Sequence, residues 1–149
     1  MTLAEKLDKI LIKGGAWKTI AFIQKIKYFS YEIRERLFDL MQLQGGIQHF
    51  GEKYGLDQKR TYRLQLCCEE LIGELLDHCY PGRAEVDLKL SVSHAESDGT
   101  TRIDIDCGGA AYNPFGQEED SLNVTILRKM SGQLDYSRTD DRNRISIIL

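Results

Sequence analysis

From Glu85 to Val92 the chain alternates strictly. Val86, Leu88, Leu90 and Val92 are apolar, while Glu85, Asp87, Lys89 and Ser91 are polar. A period of two marks a strand with one buried face. After "ESDGT" (96–100), with Asp98-Gly99 at the tip of a hairpin turn, Ile103 and Ile105 alternate with Arg102, Asp104 and Asp106 in a return strand. Before this hairpin the period is helical. Leu64, Cys68, Leu71, Leu75 and Cys79 form one stripe of a long helix that Asp57 caps and Pro81-Gly82 stops. Leu3, Leu7, Ile10 and Leu11 give an earlier helix over 2–13, ended by Gly14-Gly15. Residues 16–29 suit a strand or a helix equally. Ser30 reads as the N-cap of a helix carrying Ile33, Leu37, Leu40 and Met41, interrupted near Gly45-Gly46, resumed to Tyr54 and closed by Gly55. Beyond Asp106 come a glycine-bearing loop (107–120), a helix (121–131) and a last hairpin, "QLDYS" and "RISIIL" joined by a turn at "TDDRN".

Helices, hairpin, loop, helix, hairpin is the order of an α/β (α+β) two-layer sandwich, with a mainly antiparallel sheet covered on one face by helices. The chain of 149 residues is long enough for one self-sufficient core. No internal repeat, low-complexity segment or linker divides it. Two parts are still expected: a basic extension over 1–30 and the domain proper over 31–149.

Composition adds little until charge is placed. The net charge is −3, which does not suggest nucleic acid. Residues 1–30 hold six lysines against Glu5 and Asp8, so the rest of the chain carries −7. Such a start is an ordinary solvated helix, or a surface for an acidic partner or a membrane. No apolar run approaches the roughly 20 residues of a spanning helix, and no signal-peptide pattern is present. Cys67, Cys68, Cys79 and Cys107 lack metal or redox spacing, and three of them lie on the apolar helix. Reduced thiols in a cytoplasmic setting are expected.

The chemistry-bearing feature is "CCEELIGELLDHCY" (67–80). Glu70, Glu74 and His78 are four apart and stack on one side of the helix. Two meanings suit the spacing: a solvated helix edge, or a site for Mn, Fe or Zn needing ligands from another helix such as one bearing His49. Cys67 and Cys68 read as core rather than nucleophiles, and Trp17 and Tyr28-Phe29 as core or interface.

Three stretches together resemble the Bergerat-type ATP-binding fold, which includes sensor histidine kinases, gyrase-type topoisomerases, mismatch-repair ATPases and heat-shock chaperone ATPases. "RLQLCCEELIGELLDHCYP" is similar to its asparagine-box helix, "IDIDCGGAAYNPF" to its first glycine box, and "LNVTILRKMSGQLDYSRTDDRNRISIIL" to its closing helix and hairpin. Within that superfamily the chain most resembles the small anti-sigma-factor serine kinases of bacteria, over residues 31–149.

The resemblance implies ATP and Mg²⁺. It implies Glu70 as general base, Glu74 as Mg²⁺ ligand in place of the family's asparagine, and nucleotide contacts from His78, Asp106, Gly108, Gly109, Asn113 and Ser146. It also implies a regulatory protein as partner, and a second copy of the chain is a candidate. The phosphate end departs from the family. Ser121 and Asn123 stand where a G-x-G would present amides, the lid is short, and Glu118, Glu119 and Asp120 would repel phosphate. Two functions are therefore weighed: a nucleotide-binding regulator, including a serine kinase, and a non-catalytic interaction module on the same fold. Gly108-Gly109 and Tyr112-Asn113-Pro114 also suit a plain turn and loop plug.

Overall fold

The structure is a computed structural model and describes residues 26–149. The expected helix over 2–13, its Gly14-Gly15 stop and Trp17 lie outside the described residues. The elements run β1 (Ile26–Glu35), α1 (Leu40–Tyr54), α2 (Gln58–Cys79), β2 (Glu85–Ala95), β3 (Thr100–Cys107), α3 (Leu122–Met130), β4 (Gln133–Thr139) and β5 (Arg142–Ile148). The strands form one sheet in the order β1-β2-β3-β5-β4, every neighbour antiparallel. Three helices cover one face, so the expected two-layer sandwich is the architecture observed.

The alternating pattern decides which face each side chain meets. Val86, Leu88, Leu90 and Val92 of β2, Ile103, Ile105 and Cys107 of β3, and Ile145 and Ile147 of β5 are buried against the helices. Their polar neighbours, Lys89, Ser91, Arg102, Asp104, Asp106, Arg144 and Ser146, line a shallow groove on the other face. From α2, Leu64, Cys67, Cys68, Leu71, Ile72, Leu75 and Cys79 complete the core. A 22-residue helix is about 33 Å long and an 11-residue strand about 36 Å, so α2 and β2 match in length.

Caps and turns agree with the sequence at several ends. Asp57 accepts from Arg60 N at 2.7 Å, and Gly55 closes α1 in the left-handed conformation (φ 75°). Gly99 turns the β2–β3 hairpin at φ 71°. Two expectations fail. Ser30 caps no helix, because residues 26–35 are strand β1, which pairs with β2 from Ile26↔Ala95 onward. Its inward residues Phe29, Tyr31 and Ile33 are spaced by two, a period the helical assignment overlooked. α1 begins instead at Asp39, which accepts from Gln42 N at 3.0 Å. Nor do Gly45 and Gly46 interrupt it. The helix runs through, and Gly46 leaves room for the Phe29 ring, which a Cβ would meet at 2.5 Å.

The C-terminus of α2 is closed by a residue from β1's end. Arg36 donates to the carbonyls of Leu76 (2.8 Å), Tyr80 and Arg83 (3.0 Å), and its guanidinium stands 3.5 Å from Asp77. One cation thus serves the orphan carbonyls and the negative end of the helix dipole.

Candidate functional site: a buried carboxylate on the α2 edge

The column on α2 is graded from half-buried to buried to exposed. Glu70 is partly buried, and burial, then the neighbouring Glu69, raises its pKa. Glu74 is 2% exposed. His78 is nearly half exposed, with Nε2 3.6 Å from Glu74 Oε1. A carboxylate can be buried this deeply only when hydrogen bonds replace its water. Tyr112 donates its phenol to Glu74 Oε1 at 2.6 Å, and Ser121 donates its hydroxyl to Oε2 at 2.8 Å. The Tyr112 ring also stacks on His78, with centroids 4.2 Å apart and planes 12° from parallel. Burial, then donation to Glu74, drives the Tyr112 phenol well above its ordinary range, so it remains a donor at any physiological pH.

Local sequence puts both donors in place. Ser121 is the N-cap of α3 and accepts from Val124 N at 3.2 Å while donating to Glu74. Tyr112 is set by Asn143, which is fully buried on β5. Asn143 Oδ1 accepts from Tyr112 N (3.2 Å) and Tyr136 OH (2.7 Å), and its Nδ2 donates to Gly108 O (3.1 Å) and Ala110 O (2.9 Å). Gly109 lets this loop lie against α2. Its φ is 78°, and a Cβ there would stand 2.4 Å from Cys79 O, which already accepts from Ala110 N at 2.8 Å.

The remaining predicted residues fall elsewhere. Asp106 lies on the sheet face away from the helices, bound by Arg142, with Arg144 Nε at 3.8 Å. Ser146 lies on that same face between Arg102 (2.9 Å) and Asp104. Gly108 and Gly109 sit at the end of α2, and the close approach they permit is to Tyr80 and Cys79 of the chain itself. Asn113 Oδ1 accepts from Phe115 N at 3.0 Å, an Asx turn within the loop. The structure therefore brings together Glu70, Glu74 and His78, adds Tyr112 and Ser121, and leaves Asp106 and Ser146 across the sheet.

These contacts test the fit of ATP and Mg²⁺. Both Glu74 oxygens are taken by the chain's own hydroxyls, and the Asp106 carboxylate is held by arginines on the far face. Among the described residues, no three acidic, histidine or cysteine side chains gather to hold a metal ion, and His49 on α1 belongs to no such group. In this conformation the residues do not form a site for the pair. The cysteines are free and buried; burial pushes the Cys67 thiol up to about 11 and Cys68 higher still, which suits packing rather than reactivity.

No family model and no curated protein matches the chain. Solved structures do. A chain of the SiaB–SiaC complex from Pseudomonas aeruginosa superposes with a TM-score of 0.62 at 10% identity, over 98% of this chain and 99% of that one. The RsbU and RsbW domains of Rv1364c from Mycobacterium tuberculosis superpose with a TM-score of 0.61 at 8% identity, over 82% of this chain but 32% of that one. The chain shares its fold with these proteins, and it spans about a third of the second. Among the described residues no helix is long and apolar enough to cross a membrane.

Proposed function

We propose that the chain is a regulatory protein that acts by binding a protein partner, on the fold it shares with the RsbU–RsbW and SiaB–SiaC structures. The observation that carries this reading is the occupied Glu74: the buried carboxylate of the helix edge is satisfied by Tyr112 and Ser121, not left open to a ligand. A likeness along the whole length of a chain crystallised in the SiaB–SiaC complex supports a protein partner. Affinity capture with the tagged full chain, without added nucleotide, is expected to retain one protein stoichiometrically. Recovery of background alone would count against it.

The second reading is ATP binding with Mg²⁺, as in an anti-sigma-factor kinase. It is favoured by the placement of Glu70 and Glu74 on one edge, next to the start of α3. It requires Tyr112 and Ser121 to leave Glu74, and adenine to be recognised by groups other than Asp106 and Ser146. Thermal melting separates the two. With Mg-ATP or Mg-ADP at about 1 mM the melting temperature is expected to stay unchanged. Saturating a site at a hundredfold excess over Kd would add about 2.7 kcal/mol. A shift of several degrees with either nucleotide would replace the first reading by the second.

A further inference from the structure

The two oxygens of Glu74 hold the two ends of one segment. Oε1 takes the phenol of Tyr112, and Oε2 takes the hydroxyl of Ser121. Between them run residues 113–120, with no helix or strand. The residues on either side of this stretch are fixed independently. Before it, Asn143 staples Gly108, Ala110 and Tyr112; after it, α3 begins. Inside it most hydrogen bonds are local: Asn113 Oδ1 with Phe115 N, and Asn113 O with Gly116 N and Gln117 Nε2. Residues 116–120 are exposed. Apart from buried Pro114 and the packed Phe115 ring, the main tie across to α3 is Arg128, which pairs with Asp120 at 2.7 Å and donates to Phe115 O at 3.1 Å.

We infer that residues 112–121 form a strap over the α2 edge, buckled end to end by the single Glu74 carboxylate. The carboxylate is a suitable buckle because hydrogen bonds to an ionised acceptor are about twice as strong as neutral ones. It also lies outside the strap, on the helix beneath, so each bond ties one end of the loop to the rigid core. Losing either bond unfastens that end of the loop from α2 and leaves it only its other anchor, Asn143 or the start of α3, while α2, β2 and β3 keep their packing. An opened strap exposes the Glu74 carboxylate to water. The strap stands whether or not any nucleotide binds, so it succeeds or fails apart from the function proposed above.

Amide hydrogen exchange on the full chain tests it. Tyr112→Phe keeps the ring and its stacking on His78 and removes one bond of the buckle. Exchange at the hydrogen-bonded amides of Tyr112, Phe115 and Gly116 is expected to accelerate about tenfold, with β2 and β3 unchanged. Ser121→Ala, which removes the other bond, is expected to accelerate the same amides. Unchanged exchange at these three amides in both variants would overturn the strap. So would an equal acceleration in β2 and β3, which would make Tyr112 and Ser121 ordinary contributors to global stability.

Discussion

Gly109 shows how one residue governs the position of a loop. Its backbone is left-handed and an added Cβ would stand 2.4 Å from the last carbonyl of α2, so alanine meets strain and a backbone clash together. Gly109→Ala is expected to cost about 2–4 kcal/mol in urea unfolding, whereas alanine at the open, ordinary Gly45 of helix α1 should be neutral or stabilising. His94 makes a second argument at this scale. It is 7% exposed on β2, and Nδ1 lies 2.9 Å from Thr101 Oγ1 on β3. Burial first, and then the Arg60 guanidinium, hold its pKa below the ordinary range, although Glu96 and Asp98 pull it up. As the pH falls below about 6.5, the unfolded chain takes up a proton that the folded chain refuses. Stability is therefore lost as the pH drops through the window between the ordinary and the folded value, and no further loss from this group occurs below it. Urea midpoints at pH 7.5 and 5.5 are expected to differ less in His94→Gln than in the wild type.

The elements were legible wherever period and punctuation agreed. Asp57, Gly55, Pro81-Gly82 and the Asp98-Gly99 tip placed α1's end, α2 and the β2–β3 hairpin, because each has a local physical reason to stop or turn the chain. β1 was missed because Ile33 and Leu37 mimic a helical stripe, while Phe29 and Tyr31 carry the true alternation. The strand forms because β2 offers it an 11-residue edge, a tertiary cause invisible to spacing. Parity carried more than was taken from it. Asn143 shares the inward phase of Ile145 and Ile147, so a polar residue there had to have a structural job, and its hydrogen bonds to Tyr112, Tyr136, Gly108 and Ala110 supply it. The connection between β4 and β5 is a place where sequence and geometry disagree. Asp140 and Asp141 both adopt positive φ (55° and 59°) in a two-residue turn that favours Asn-Gly. Asp141→Gly is expected to raise stability by about 0.5–1 kcal/mol, read as a higher urea midpoint with an unchanged slope.

At the scale of the whole molecule, the sheet divides the candidate residues into two populations. The resemblance placed Glu74 and Asp106 at one nucleotide. Yet Asp106 has the phase of Arg102 and Asp104, opposite to Ile103, Ile105 and Cys107, so the alternation that builds the core also sends its carboxylate to the far face. There Arg142 joins it to Asp87, whose pKa the guanidinium lowers. A sheet and the helix layer on it are about 10 Å apart, and groups separated by that distance without shared partners contribute almost additively. A double-mutant cycle turns this into a measurement. Glu74→Gln buries an amide NH2 where the core offers only donors and Asp106→Asn weakens the arginine cluster, and each should lower the urea midpoint alone. Combined, their effects are expected to sum to within about 0.5 kcal/mol. A coupling well above 1 kcal/mol would mean that the two carboxylates share one cleft after all, and the division of the molecule into a strapped helix edge and a charged open sheet would have to be abandoned.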